Sequence, residues 1–153
     1  MPINLQTTAY NLIYLLSSKD YPGLIKVGKT TVDACNAESL EPDSEPLIDA
    51  VRKRYAGLGT VAVDALKYEY SEVAWFRDQQ GLEYRFDDHT VHEVLENSHY
   101  ERVPITSFWG EAGEWFRIDV ETGKKAIQAV KQGQEVIDGP VVEKKEKVET
   151  CHM

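Results

Sequence analysis

The apolar positions change their period along the chain, and each change marks an element. From Tyr10 to Leu16 every residue except Asn11 is aliphatic or aromatic, a run that predicts a buried strand. Ser17 to Gly23 contains Asp20, Pro22 and Gly23, a turn, and Leu24 to Gly28 reads as a second short strand. The two must be antiparallel, because a parallel pair needs a crossover of about a dozen or more residues. Pro46 to Gly57 predicts a helix, with Pro46 in its first turn and Leu47, Val51, Arg54, Tyr55 and Leu58 recurring at three and four. Val61, Val63 and Ala65 alternate at the start of a segment that runs to Tyr70 and continues through Val73 to Phe76 as a bent strand or strand pair. Asp78 to Gly81 is a turn. Asp88 to Asn97 predicts a short helix with Val91, Val94 and Leu95 on one face. Gly113 to Ile118 reads as a strand, and Asp119 to Gln132 as a last helix that Gly133 stops. The expected fold is α+β, a small, mainly antiparallel central sheet flanked by helices.

Between the second strand and the first helix the periodicity fails. Thr31 to Ala50 carries six acids (Asp33, Glu38, Glu41, Asp43, Glu45, Asp49) and no Lys or Arg, which predicts a solvated acidic insertion over residues 31–46. The basic cluster Arg52, Lys53, Arg54 follows directly. A net charge of −9 over 153 residues argues against broad adhesion to nucleic acid, which draws on phosphate neutralisation, but leaves a local site undecided. At 42% hydrophobic and 10% aromatic the chain is not disordered. No apolar run approaches the ~20 residues needed to cross a bilayer. The amino terminus lacks a basic region followed by an apolar core, so a cytoplasmic, soluble domain is expected, with no membrane partner. Cys35 and Cys151 stand in polar segments without CxxC spacing and read as spectator thiols. The domain is expected to occupy residues 1–133, and the alternating charges of 134–153 predict a disordered tail or linker.

Two functional signatures overlap in the first hairpin. Gly23 to Thr30 spells GLIKVGKT, a match to the GxxxxGK[ST] phosphate loop that would make the chain a nucleotide-binding protein using Lys29. Such a loop consists of small residues and opens a helix whose N-terminus faces the phosphates. Leu24, Ile25, Lys26 and Val27 favour a strand instead, and an acidic stretch rather than an amphipathic helix follows Thr30.

The hairpin gains meaning from downstream residues. Tyr14 in LIY, then Lys26, Val27 and Gly28 in KVG, Arg54 in a helix, Asp88 four residues before His92 in DHTVH, and Glu114, Trp115 and Phe116 in EWF stand in fixed order. This pattern resembles the GIY-YIG nuclease superfamily, and more narrowly the divergent phage and bacterial branch in which a KIG-like triplet replaces YIG and the domain ends in EWF or EFF. The resemblance spans Tyr10 to Val130. It implies a metal-dependent endonuclease acting on DNA with Mg2+ or Mn2+. Tyr14 would take the place of the tyrosine that orients or deprotonates the attacking water, and Arg54 that of the arginine clamping the scissile phosphate bidentately. Asp88 falls where the family has a metal-binding Glu, one methylene shorter in reach. His92 would relay a proton or contact phosphate, and Glu114 would supply a second carboxylate to the metal. Lys26 stands where a second tyrosine is usual; a Lys holds phosphate or water electrostatically, and acts as a base only where burial or cationic neighbours depress its pKa. Lys29 and Arg52 are the expected further substrate contacts.

Each residue also has a structural reading. Tyr14 suits a core aromatic, Arg52 to Arg54 a solvated helix face, His92 a satisfied helix histidine, and Asp88 a helix N-cap. Trp115 and Phe116 read as core anchors. His89 and His92 are three apart, yet with His99 they lack the Cys or Asp partners of a zinc site. A domain of this family that had lost activity would serve as a DNA-binding module. Members are often appended to helicase-like or restriction modules, and the charged tail prompts the same expectation here.

Overall fold

In the computed structural model residues 6–56, 66–107 and 110–140 are described, and they form seven strands, three α-helices and one short 3-10 helix. The strands are β1 (Thr8–Ser18), β2 (Ile25–Ala34), β3 (Leu66–Val73), β4 (Trp75–Arg77), β5 (Glu83–Arg85), β6 (Arg102–Ser107) and β7 (Gly110–Phe116). The helices are α1 (Glu45–Ala56), α2 (Asp88–Asn97) and α3 (Val120–Lys131). Five strands make one antiparallel sheet in the order β3-β1-β2-β7-β6, and β4 and β5 form a separate two-stranded ribbon. The fold is therefore the expected α+β arrangement. Among the described residues no helix is long and apolar enough to cross a membrane.

Strand parity sorts β1 onto two cores. Leu12, Tyr14 and Leu16 point to the face that α1 covers through Leu47 and Val51, whereas Ile13 and Leu15 point to the face covered by α2 and α3 through Val91, Leu95, Ala126 and Ile127. All five β1 residues are at most 2% exposed, which explains the unbroken apolar run: both faces of the central strand are buried. Gly123 lets α3 approach closely, since a Cβ there would lie 2.8 Å from Leu15 Cδ1. Capping fixes the helix starts. Asp87 Oδ1 accepts from the His89 amide at 3.0 Å to begin α2, and Asp119 Oδ1 accepts from the Thr122 amide at 2.8 Å to begin α3.

A buried ionic cluster fastens α3 to β3. Glu72, 2% exposed, accepts from the Tyr70 hydroxyl at 2.6 Å and from Gln128 Nε2 at 2.8 and 3.0 Å, and pairs with Lys131.

Several expectations are corrected. The phosphate-loop reading fails because the GLIKVGKT segment enters β2, which continues to Ala34, and no helix opens after Thr30. The acidic insertion is not a projecting solvated loop. Its first residues extend β2, Ala37 and Leu40 are buried against the α1 face, and Asp43 accepts from the Ser71 amide at 3.1 Å and from the Tyr68 hydroxyl. The tail does not begin at Gln134. Residues 134–140 cross the end of α2, where the Ile137 amide donates to Ser98 Oγ at 2.8 Å and Tyr100 donates to the Asp138 carbonyl at 2.8 Å. Strand β6 has no counterpart in the expected elements, because Pro104 interrupts its pattern; the proline is tolerated at a register shift on the sheet edge. Leu58, the alternating Val61 to Ala65 and Cys151 lie outside the described residues, while Cys35 is exposed.

Candidate active site

The site forms where β7 leaves β2. These strands pair only at Ile25–Phe116 and Lys26–Trp115, and among the described residues no strand pairs with that edge of β2 beyond Lys26. The gap admits side chains from both faces of the sheet.

Tyr14 comes from the α1 face. It stands opposite Gly28 in the β1–β2 register, and its ring lies across that glycine: a Cβ at position 28 would be 2.5 Å from both Tyr14 Cζ and Oη. Glycine is therefore required for the phenol to reach over β2. Lys26 shares this face, two residues before Gly28, and its Nζ lies 2.7 Å from Glu114 Oε1. Arg54 arrives from α1, one helical stripe beyond the buried Leu47 and Val51, and remains exposed. Beside it an open cleft of about 540 Å³ runs between β2 and α1, lined by Thr30, Asp33, Asp49 and Lys53 among others.

Asp88 and His92 come from α2 on the other face. Asp88 is 5% exposed and is the first residue of the helix; Asp87 caps it, so Asp88 does not. Its Oδ2 is 3.9 Å from His92 Nε2, too long for a hydrogen bond, and among the described residues no Lys or Arg pairs with it. The helix N-terminus favours a negative charge there. His92 is 3% exposed and packs on Phe116 with ring centroids 5.2 Å apart. Its Nε2 is 2.8 Å from the Val27 carbonyl, which can only accept, so Nε2 carries the proton. That nitrogen is committed to the backbone beside Gly28, and His92 positions α2 against β2. Burial pushes its pKa below 6.5, opposed by the Val27 hydrogen bond and the Asp88 charge.

The electrostatics agree with this convergence. Burial pushes the Tyr14 phenol up to about 12, the charges of Glu114 and Asp88 push the same way, and Arg54 pulls it down. Tyr14 is thus a protonated phenol at neutral pH, suited to orient a water or donate to an oxyanion. The folded chain holds this proton more tightly than the unfolded chain, whose phenol titrates near 10.0. Its stabilising contribution is complete below that value and is lost as pH rises through about 12. Alkaline denaturation followed by circular dichroism is expected to show a fall in stability across this window that is shallower in Tyr14→Phe. Identical slopes in the two proteins would contradict the assignment.

Six of the eight expected site residues thus meet at the gap: Tyr14, Lys26, Arg54, Asp88, His92 and Glu114. Two do not. Lys29 pairs with Ile13 and therefore projects from the opposite face to Tyr14, where it is exposed. Arg52 is exposed on α1 and its charge acts on Tyr68, not Tyr14. Two contributors were not anticipated. Gly28 shapes the site by lacking a side chain, and Arg102 on β6 lies over Phe116 at 5.1 Å and lowers the His92 pKa through its charge. Period-2 parity points to Gly28 once Tyr14 is placed; nothing in the sequence marks Arg102.

Among the described residues no three His, Cys, Asp or Glu gather into a metal cage. Asp88 and Glu114 are nevertheless suitable for magnesium, which is held by one or two carboxylates while waters and substrate phosphates complete its shell. The buried Asp88 carboxylate, without a cationic partner among the described residues, is the strongest sign of fit. No protein-family model, no curated protein and no solved structure matches the chain.

Proposed function

We propose that the chain is a metal-dependent DNA endonuclease domain. The observation that carries this reading is a single gap in the sheet ringed by a buried phenol, two carboxylates, a lysine and an exposed arginine, all acting electrostatically on Tyr14 or on one another. That set matches the needs of phosphodiester hydrolysis, in which water is positioned and charge is relieved on the phosphoryl and leaving oxygens. Arg54 would grip a non-bridging phosphate oxygen from the α1 side. Tyr14, protonated, would hold the attacking water in line, and Lys26 would neutralise a second phosphate oxygen. Asp88 and Glu114 would hold Mg2+ or Mn2+, whose chemistry at such a site is Lewis-acid relief of the developing negative charge. His92 would keep Asp88 and β2 in register. The acidity of the domain means that affinity for a target would come from an associated DNA-processing module.

Supercoiled plasmid with Mg2+ or Mn2+ tests the proposal. The wild-type protein is expected to produce nicked circles, and Tyr14→Phe to nick about 10²-fold more slowly. Binding without nicking under either ion would identify an inactive DNA-binding module instead. Equal nicking by Tyr14→Phe would remove the phenol from the mechanism.

A further inference from the structure

We propose that Lys26 and a divalent cation compete for Glu114, so that the site binds metal weakly on its own and tightly once a substrate phosphate has drawn Lys26 away. This rests on the nuclease reading and adds to it an order of assembly. The Lys26 ammonium already occupies Glu114 Oε1 at 2.7 Å, as a resident counter-ion. The Lys26 side chain is 13% exposed and that of Glu114 35%, so the pair is shielded but reachable. A magnesium ion would sit about 2.0–2.1 Å from a carboxylate oxygen. An ammonium and a dication on one carboxylate repel each other.

Charge balance leads to the same order. Asp88 and Glu114 contribute two negative charges around Tyr14, and Lys26 and Arg54 two positive ones. A dication added to this set leaves the site over-positive unless anionic phosphate enters with it. Lys26 has a flexible four-carbon stem, and it projects from the same face as Tyr14, whose ring covers Gly28 two residues along β2. A phosphate gripped by Arg54 beside the Tyr14 hydroxyl would enter on that same face and offer Lys26 a second anion. Once Lys26 turns to that phosphate, both Glu114 oxygens are free for metal. Linkage makes the effect reciprocal: DNA raises the affinity for metal by the factor by which metal raises the affinity for DNA.

Mn2+ binding, followed by electron paramagnetic resonance of the free ion, tests this on the wild-type chain, Lys26→Met, Lys26→Gln and Glu114→Gln. Each is measured with and without a short single-stranded phosphorothioate oligonucleotide. Both Lys26 variants are expected to bind Mn2+ alone more tightly, within the roughly 5–150-fold range of such couplings. The oligonucleotide should raise Mn2+ affinity in the wild type and leave the Lys26 variants nearly unchanged. Glu114→Gln should weaken Mn2+ binding and abolish the coupling. Unchanged or weaker Mn2+ binding in Lys26 variants that retain wild-type circular dichroism overturns the competition. Plasmid nicking by the same wild-type preparation separates the two levels. Nicking with unaltered metal affinity in the variants defeats the competition alone, whereas a wild-type chain that neither nicks nor binds Mn2+ defeats the nuclease reading as well.

Discussion

Asp88→Asn is expected to abolish magnesium-dependent nicking, by about 10³-fold or more, while leaving the folded domain as stable as the wild type or slightly more stable. Three observations separate the two effects. Asp87, not Asp88, accepts the His89 amide at the start of α2, so the helix keeps its cap when Asp88 changes. Asparagine has nearly the same volume and fills the same buried space at 5% exposure. The substitution also removes a buried charge that no Lys or Arg offsets among the described residues, and the desolvation it relieves balances the favourable contact with the helix N-terminus that it gives up. At the proposed metal site, loss of the charge would leave a divalent ion only Glu114, already engaged with Lys26. Thermal unfolding, measured beside the nicking assay, distinguishes a folding defect from a chemical one. A variant that unfolds early would return Asp88 to a structural role, and one that nicks at the wild-type rate would remove it from the metal site.

The same residue illustrates what can be read from sequence. Its position in DHTVH places it correctly at the start of a helix, but two consecutive aspartates leave open which one caps. Only backbone geometry, with Asp87 extended at φ −136°, assigns the cap. The first strand and all three helices are legible because their apolar residues recur at the period of the element, whereas β2 is legible only to Gly28, where its apolar run ends and the strand continues through mainly polar residues to Ala34. Strand β6 is not, because Pro104 breaks the alternation that marks a strand. The acidic segment also misleads: Val32, Ala37 and Leu40 are too few and too irregular to show a period, yet each is buried. In the site, Lys29 and Arg52 stand close in sequence to Gly28 and Arg54 but not in space. One residue along a strand reverses the face, which separates Lys29 from Gly28. Two residues along a helix rotate by about 200°, which separates Arg52 from Arg54. The junction of the two sheet faces at Gly28 depends on where β7 leaves β2, a long-range fact that no local pattern encodes.

Lys131→Met is expected to destabilise the fold strongly from the face opposite Tyr14, at about 3–5 kcal/mol. Glu72 would keep its hydrogen bonds from Tyr70 and Gln128 but lose its countercharge at 2% exposure. Breaking one side of a buried pair costs more than removing both. Lys131→Met combined with Glu72→Gln should therefore recover most of the loss, since a Gln there can still accept from Tyr70 or Gln128. Urea unfolding of the two single variants and the double variant measures the coupling. A loss below about 1 kcal/mol for Lys131→Met would mean that solvent screens the pair as it does at a surface. The cluster also bears on the site at one remove. Glu72 and Ser71 on β3 pair with Ile13 and Tyr14 on β1, and the parity of β1 sends Tyr14 to the opposite core from Glu72. Under conditions where the variant is fully folded, nicking per molecule should therefore match the wild type. A drop in rate without unfolding would instead mean that α3 holds the Tyr14 ring in place through β1.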